Sequence, residues 1–155
     1  MREVKTAVAT GGCQCGAVRY ALYVAPQKSH VCHCRMCQRA TGGVFAALAG
    51  APKAEFAWTK GTPAIFASSN LAERAFCRDC GTPLGFTYTL AEARQYVTIG
   101  SLDDPAAAPI VIQYGVESRI PWVRFCDEVP SEATGADPAA AAFFATMQSH
   151  QGAGD

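Results

Sequence analysis

Long apolar runs are missing from this sequence of 155 residues, and none approaches the ~20 residues that a membrane-spanning helix needs. No transmembrane segment and no membrane partner are therefore expected. No apolar h-region follows Met1-Arg2-Glu3-Val4-Lys5, so a secretory signal is not expected and a cytoplasmic location is. Uncompensated charge is missing too: 13 Lys and Arg balance 13 Asp and Glu, and no basic block stands out. The electrostatic footprint of a nucleic-acid binder is absent, so no nucleic-acid partner is expected. There is no Gly-rich phosphate loop, no Ser/His/Asp arrangement and no internal repeat beyond a recurring Cys-x-Cys. The length suits a single domain over 1–155, with a core of about 8–130 and a helical tail of about 131–155.

Cysteine, by contrast, is plentiful. Seven of the eight cysteines fall in close-spaced sets: Cys13 and Cys15, then Cys32, Cys34 and Cys37, then Cys77 and Cys80. Such spacing suits metal ligands rather than scattered core thiols, and without a secretion signal the thiols are expected to be reduced. A disulfide framework is the rival reading, although a Cys-x-Cys pair does not easily close on itself.

In Cys13-Gln14-Cys15 an extended backbone turns both thiols to one side. They supply half of a tetrahedral zinc site. Cys77-Arg78-Asp79-Cys80-Gly81, a zinc-knuckle sequence, is the natural source of the other half. Structural zinc contributes on the order of 10 kcal/mol to folding in small domains. A redox role for Cys77 and Cys80 is the alternative, but no βαβ pattern surrounds them.

In Cys32-His33-Cys34-Arg35-Met36-Cys37 the thiols of Cys32 and Cys34 face one way and His33 the other. Cys37 returns on the first turn of a short helix from Arg35 to about Ala40, which Thr41-Gly42-Gly43 stops. Three thiolates with no evident fourth protein donor leave zinc a position for water or substrate, the mark of a catalytic site. A second structural zinc, completed by His30, His33 or Cys126, stays open as an alternative. Otherwise Cys126 reads as a buried thiol.

The rest of the chain reads as short strands punctuated by Gly and Pro, hence all-β. Val18, Tyr20, Leu22 and Val24 share one face of a half-buried strand. Further strands are expected over 44–48, 56–59, 64–67, 84–89, 96–100 and 110–114, with Lys60-Gly61-Thr62-Pro63 as a turn. Residues 91–94 suit a loop or one helical turn. Trp122, after Pro121, is expected to pack over the core or line a pocket. Asp137-Pro138 caps an alanine-rich helix over about Ala139–Met147, with Phe143, Phe144 and Met147 as its apolar stripe. Residues 150–155 are expected to fray.

Three stretches carry a family resemblance: Gly12-Cys13-Gln14-Cys15-Gly16-Ala17-Val18-Arg19-Tyr20, Cys32 through Gly42, and Arg74-Ala75-Phe76-Cys77-Arg78-Asp79-Cys80-Gly81-Thr82-Pro83-Leu84. Together with Asp103-Asp104-Pro105 and Pro121-Trp122, they resemble the glutathione-dependent formaldehyde-activating enzyme family over roughly residues 10–125. The resemblance implies a mainly β fold of the β-tent type, with a short helix after the Cys32–Cys37 motif and a C-terminal helix. It implies a structural zinc at Cys13, Cys15, Cys77 and Cys80 and a catalytic-type zinc at Cys32, Cys34 and Cys37. The implied activity is that of a carbon–sulfur lyase, S-(hydroxymethyl)glutathione synthase-like, joining a small thiol such as glutathione to formaldehyde or a related aldehyde. One departure bears on substrate: Gln113-Tyr114-Gly115 stands where the family commonly carries His-Ile-Trp.

The site residues alone make this chemistry plausible, because zinc stabilises a bound thiol as its thiolate, which can add to an aldehyde carbon. Arg35, Arg39, Arg74 and Arg119 are candidates to hold carboxylates of a glutathione-like ligand. The competing classes are a non-catalytic zinc module that binds protein or nucleic acid, and a labile zinc or thiol buffer.

Overall fold

The computed structural model describes residues 5–90, 93–124 and 128–149. Cys126 lies outside the described residues, as do Ala91 and Glu92 and the end of the tail from residue 150. Along the chain run β1 (Ala9–Gly12), β2 (Arg19–Leu22), β3 (Gln27–Cys32), α1 (Arg35–Thr41), β4 (Ala46–Pro52) and β5 (Phe56–Lys60). Then come β6 (Ala64–Ala67), β7 (Ala72–Phe76), β8 (Pro83–Tyr88), β9 (Arg94–Thr98), β10 (Ile112–Tyr114), β11 (Ser131–Glu132) and α2 (Pro138–Phe144). The expected mainly β fold, with a short helix at the second cysteine motif and another near the C-terminus, is what forms.

Two sheets make up the architecture. A small one has the order β1-β2-β5, and a larger one has the order β11-β10-β3-β4-β9-β8-β7-β6. Pairing in the larger sheet is antiparallel from β3 to β6, whereas β10 joins β3, and β11 joins β10, in parallel. The turn Lys60-Gly61-Thr62-Pro63 links strands of different sheets: β5 pairs with β2, and β6 edges the larger sheet beside β7.

The pleat of β4 and β9 explains where the core sits. Alternate side chains of a strand leave opposite faces. Ala49 and Ala51 of β4 and Val97 of β9 join one cluster with Tyr20, Leu22, Leu84 and Leu102. Leu48 and Tyr96, their immediate neighbours, join a second cluster with Cys37 and Ala46. Phe56 and Trp58 of β5 close the first cluster against Tyr20, with ring centroids 5.8 and 5.9 Å away. The Tyr20 hydroxyl, buried with its ring, pairs with the Ser101 hydroxyl at 2.8 Å. Each cluster carries one set of cysteines: Cys13 and Cys77 belong to the first, Cys37 to the second.

The strands expected over 44–48 and 96–100 run instead Ala46–Pro52 and Arg94–Thr98, and two further expectations need correction. Trp122 does not pack over the core; it is 71% exposed. The turn closed by Val123 N–H on the Ile120 carbonyl buries Val123 and leaves Trp122 outside. The C-terminal helix ends at Phe144 rather than Met147. Beyond it the backbone bonds to Asn70 instead: Asn70 Nδ2 donates to the Thr146 carbonyl at 2.9 Å, and Gln148 N–H donates to Asn70 Oδ1 at 2.6 Å.

Candidate metal centres

Two turns create the four-thiol group. One follows β1 and carries Cys13 and Cys15; the other connects β7 to β8 and carries Cys77 and Cys80. All four sulfurs lie within 4.8 Å of one another, with Cys13 to Cys15 at 3.5 Å and Cys15 to Cys77 at 3.7 Å. A tetrahedral zinc at Zn–S of about 2.3 Å sets sulfurs about 3.8 Å apart, so the donor set fits that ion in kind and in spacing. The turns are tied to each other by Gln14 Nε2, which donates to the Cys80 carbonyl at 3.3 Å, and by Gln14 N–H, which donates to Thr82 Oγ1 at 3.2 Å. Val18 N–H donates to Cys13 Sγ at 3.3 Å. The Thr82 hydroxyl beside Cys80 holds that thiol down at about 6. Donors aimed at sulfur favour thiolate, the form a metal takes.

The three-thiol group is built on the end of β3 and the start of α1. Cys32 is the last residue of β3, Cys34 is the N-cap of α1, and Cys37 sits in its first turn. Cys34 Sγ accepts from Cys37 N–H at 3.4 Å, so one thiol both caps the helix and faces its partner. The three sulfurs lie within 4.8 Å of one another, and no fourth Cys, His, Asp or Glu among the described residues joins them. Gly115 lets the chain pass this corner. Its φ is +62°, and a Cβ there would stand 2.9 Å from the Cys34 nitrogen.

His33 stays out of the group. Fully buried, it donates from Nε2 to Gln113 Oε1 at 2.9 Å, and its N–H donates to the Tyr114 carbonyl at 2.9 Å. The Gln38 amide donates to the His33 carbonyl at 2.7 Å and to the Ser118 carbonyl at 3.1 Å. The segment between Cys32 and Cys34 is thus held from behind by two glutamines. The sequence marked Gln113 only as a departure from the family pattern and gave Gln38 no role; the signal for a buried contact was that Gln113, 1% exposed, interrupts an apolar, β-branched run.

Arg74 reaches the group from β7. Its guanidinium donates to Cys37 Sγ at 3.4 Å and lies over the Phe86 ring, 4.9 Å from the centroid. Hydrogen bonds from the Cys32 and Cys34 thiols hold Cys37 well below the ordinary thiol range, and Arg74 adds to this. Cys34, Cys37 and burial push Cys32 the other way. Arg74 thus sets a fixed positive charge beside the Cys37 sulfur. Of the other arginine candidates, Arg35 donates to Gln38 Oε1 on its own helix, and Arg39 lines a separate cavity of 410 Å³ that Arg74 also borders.

All three thiols line a larger cavity of 590 Å³. Leu48, Phe86 and Tyr96 of the larger sheet form one part of its wall, and Glu132, Ala140 and Phe144 of the C-terminal segment form another. Among the described residues no helix is long and apolar enough to cross a membrane.

Residues 8–117 match the family described as glutathione-dependent formaldehyde-activating enzyme. An uncharacterized lyase of Schizosaccharomyces pombe is 34% identical over 79 residues, a stretch that is 51% of this chain and 57% of that protein. The chain thus spans little more than half the length of this relative. A crystal structure of a Rhodobacter sphaeroides protein superposes with a TM-score of 0.48 at 20% identity, over 79% of this chain and 99% of that one.

Proposed function

The chain belongs to the glutathione-dependent formaldehyde-activating enzyme family, and from that premise we propose that it is a carbon–sulfur lyase-type enzyme joining a small thiol to formaldehyde or a related aldehyde. The observation that carries the reading is a group of three thiols, with no fourth ligand among the described residues, on the wall of a cavity large enough for both reactants. Cys13, Cys15, Cys77 and Cys80 would hold one zinc as a clamp, and Cys32, Cys34 and Cys37 would hold another. Zinc bound at the second group would supply thiolate stabilisation.

The protein's own groups account for the rest. A thiol losing its proton at this corner has Arg74 as a fixed positive charge nearby, within 3.4 Å of Cys37 Sγ. The sulfur then forms a bond to the carbonyl carbon. The π pair of the C=O bond moves to oxygen, and that oxygen takes up the proton the thiol gave. The product is a hydroxymethyl thioether, with every atom of both reactants retained. The Arg74 charge favours the alkoxide as it forms. Leu48, Phe86 and Tyr96 form an apolar side of the cavity. Thiols add to formaldehyde readily in water, so positioning is the larger part of the catalysis asked of the site.

The test combines metal content with product formation. Zinc per chain is measured by elemental analysis, and hydroxymethyl thioether formation is followed by NMR with glutathione and formaldehyde. Two zincs in the parent and one in Cys34→Ser, with condensation faster than the uncatalysed rate only in the parent, are the expected results. A parent that holds two zincs and leaves the condensation rate of glutathione and other small thiols unchanged would overturn the reading.

A further inference from the structure

Six aromatic rings run in an unbroken arc around the large cavity. Tyr114 meets His30 with centroids 5.2 Å apart, and His30 meets Tyr96 at 5.4 Å, both edge to face. Tyr96 meets Phe86 at 6.2 Å, Phe86 meets Tyr88 at 4.9 Å, and Tyr88 meets Phe144 at 6.2 Å. All six line the cavity. The arc begins on β10 and β3, crosses β9 and β8, and is completed by α2.

The last ring comes from a segment with its own attachments. Residues 128–149 lie beyond the family match, which ends at residue 117. β11 docks in parallel beside β10, with Tyr114 opposite Glu132. Thr134 N–H donates to the Glu117 carboxylate at 3.3 Å, and its hydroxyl bonds the same group. Asn70 clasps the far end through the Thr146 carbonyl and Gln148 N–H. Fastened at both ends, the segment brings Ala140, Phe144 and Met147 to the cavity between them.

Two cations, Lys28 and Arg74, and two carboxylates, Glu132 and Asp137, line the cavity, so its charges offset one another. Arg74 donates to Cys37 and lies over the Phe86 ring, and Asp137 caps α2 by accepting from Ala139 N–H at 3.1 Å. A tripeptide thiol with two carboxylates meets as many carboxylates as cations there, whereas a flat apolar body finds rings along the whole arc. From this we propose that the cavity selects a thiol with an aromatic body over a peptide thiol, and that Phe144 and Ala140 of the C-terminal segment determine that selection. The inference rests on the thiol–aldehyde reading of the three-cysteine corner.

The experiment uses the full zinc-loaded chain and two probes, phenylmethanethiol and glutathione. Binding is measured by titration calorimetry, and zinc content is checked before and after. The parent is expected to bind phenylmethanethiol at least about tenfold more tightly than glutathione, as an apolar pocket filled by a matching body does. Phe144→Ala is expected to lower that preference by about tenfold, with two zincs retained. Should Phe144→Ala release the segment, Ala140→Phe is the second variant: it fills the same space and weakens phenylmethanethiol more than glutathione. Glutathione bound as tightly as phenylmethanethiol, or a preference that both variants leave unchanged, overturns the selection while the thiol–aldehyde reading stands. If neither thiol binds and neither is consumed with formaldehyde, the reading of the corner falls and the selection falls with it.

Discussion

Replacing Gln113 by Leu tests whether the Cys32–Cys34 segment is held in place by a buried polar contact. Gln113 is 1% exposed and His33 fully buried, with Nε2–H donating to Oε1 at 2.9 Å. His33 Nδ1 already lacks a partner among the described residues, so in the Leu variant both ring nitrogens would stand unpaired away from water. Leaving a buried donor unsatisfied costs about 1–3 kcal/mol. Near 2 kcal/mol, a chain of this size loses about 4–8 °C in Tm. Removing both polar partners is far cheaper than removing one. The double variant Gln113→Leu/His33→Phe is thus expected to be more stable than the sum of the single losses by about 1–2 kcal/mol. Thermal and urea unfolding of the zinc-loaded protein measure all four corners of the cycle. Additive losses, or a Gln113→Leu variant within about 0.5 kcal/mol of the parent, would show that the imidazole does not depend on Gln113.

Other expectations follow from the same geometry. Cys80→Ser is expected to lose cooperative unfolding, since it opens the four-thiol group that ties residue 13 to residue 80, whereas Cys34→Ser unfolds as one transition with one zinc fewer; circular dichroism and elemental analysis check both. Gly115→Ala meets a φ of +62° and a contact of 2.9 Å to the Cys34 nitrogen, so it is expected to cost at least about 1–2 kcal/mol and to weaken zinc retention against a chelator. The Asp103 carboxyl is held below its usual range by Arg19, with Thr10 adding. Its folded value lies below its unfolded one, so the stabilisation is present above the unfolded carboxylate range and fades as pH falls through the folded value. Because the Asp103 side chain is 47% exposed, the effect is expected to stay below about 1 kcal/mol. Asp103→Asn should flatten that part of the acid limb in urea titrations between pH 6 and about pH 2.5.

The sequence made the thiol groupings legible because Cys-x-Cys and Cys-x-x-Cys spacings carry their own geometry. It also disclosed the stop of α1, since Gly42 adopts the left-handed conformation its position requires, at φ 69°. The partition of the strands into two sheets was not legible: Phe56-Ala57-Trp58-Thr59 and Ala64-Ile65-Phe66-Ala67 look alike locally, yet one closes the core on β2 and the other edges the larger sheet. Trp122 misled because apolarity predicts burial, while one turn hydrogen bond decided which of Trp122 and Val123 faces inward. The end of α2 depended on Asn70, more than 70 residues earlier in the chain, which no local pattern could reveal.

The two thiol groups also differ in how much chain each must gather. Cys32, Cys34 and Cys37 are neighbours in sequence, whereas Cys15 and Cys77 are 62 residues apart. Closing the long loop is opposed by chain entropy until β1, β7 and β8 have formed, while the short one can close on a metal ion in a largely unfolded chain. On the proposed zinc reading, a nascent chain would load its three-thiol corner first and its four-thiol clamp last. Zinc shortage during synthesis would strand a chain that has captured metal but has nothing yet to hold its sheets together.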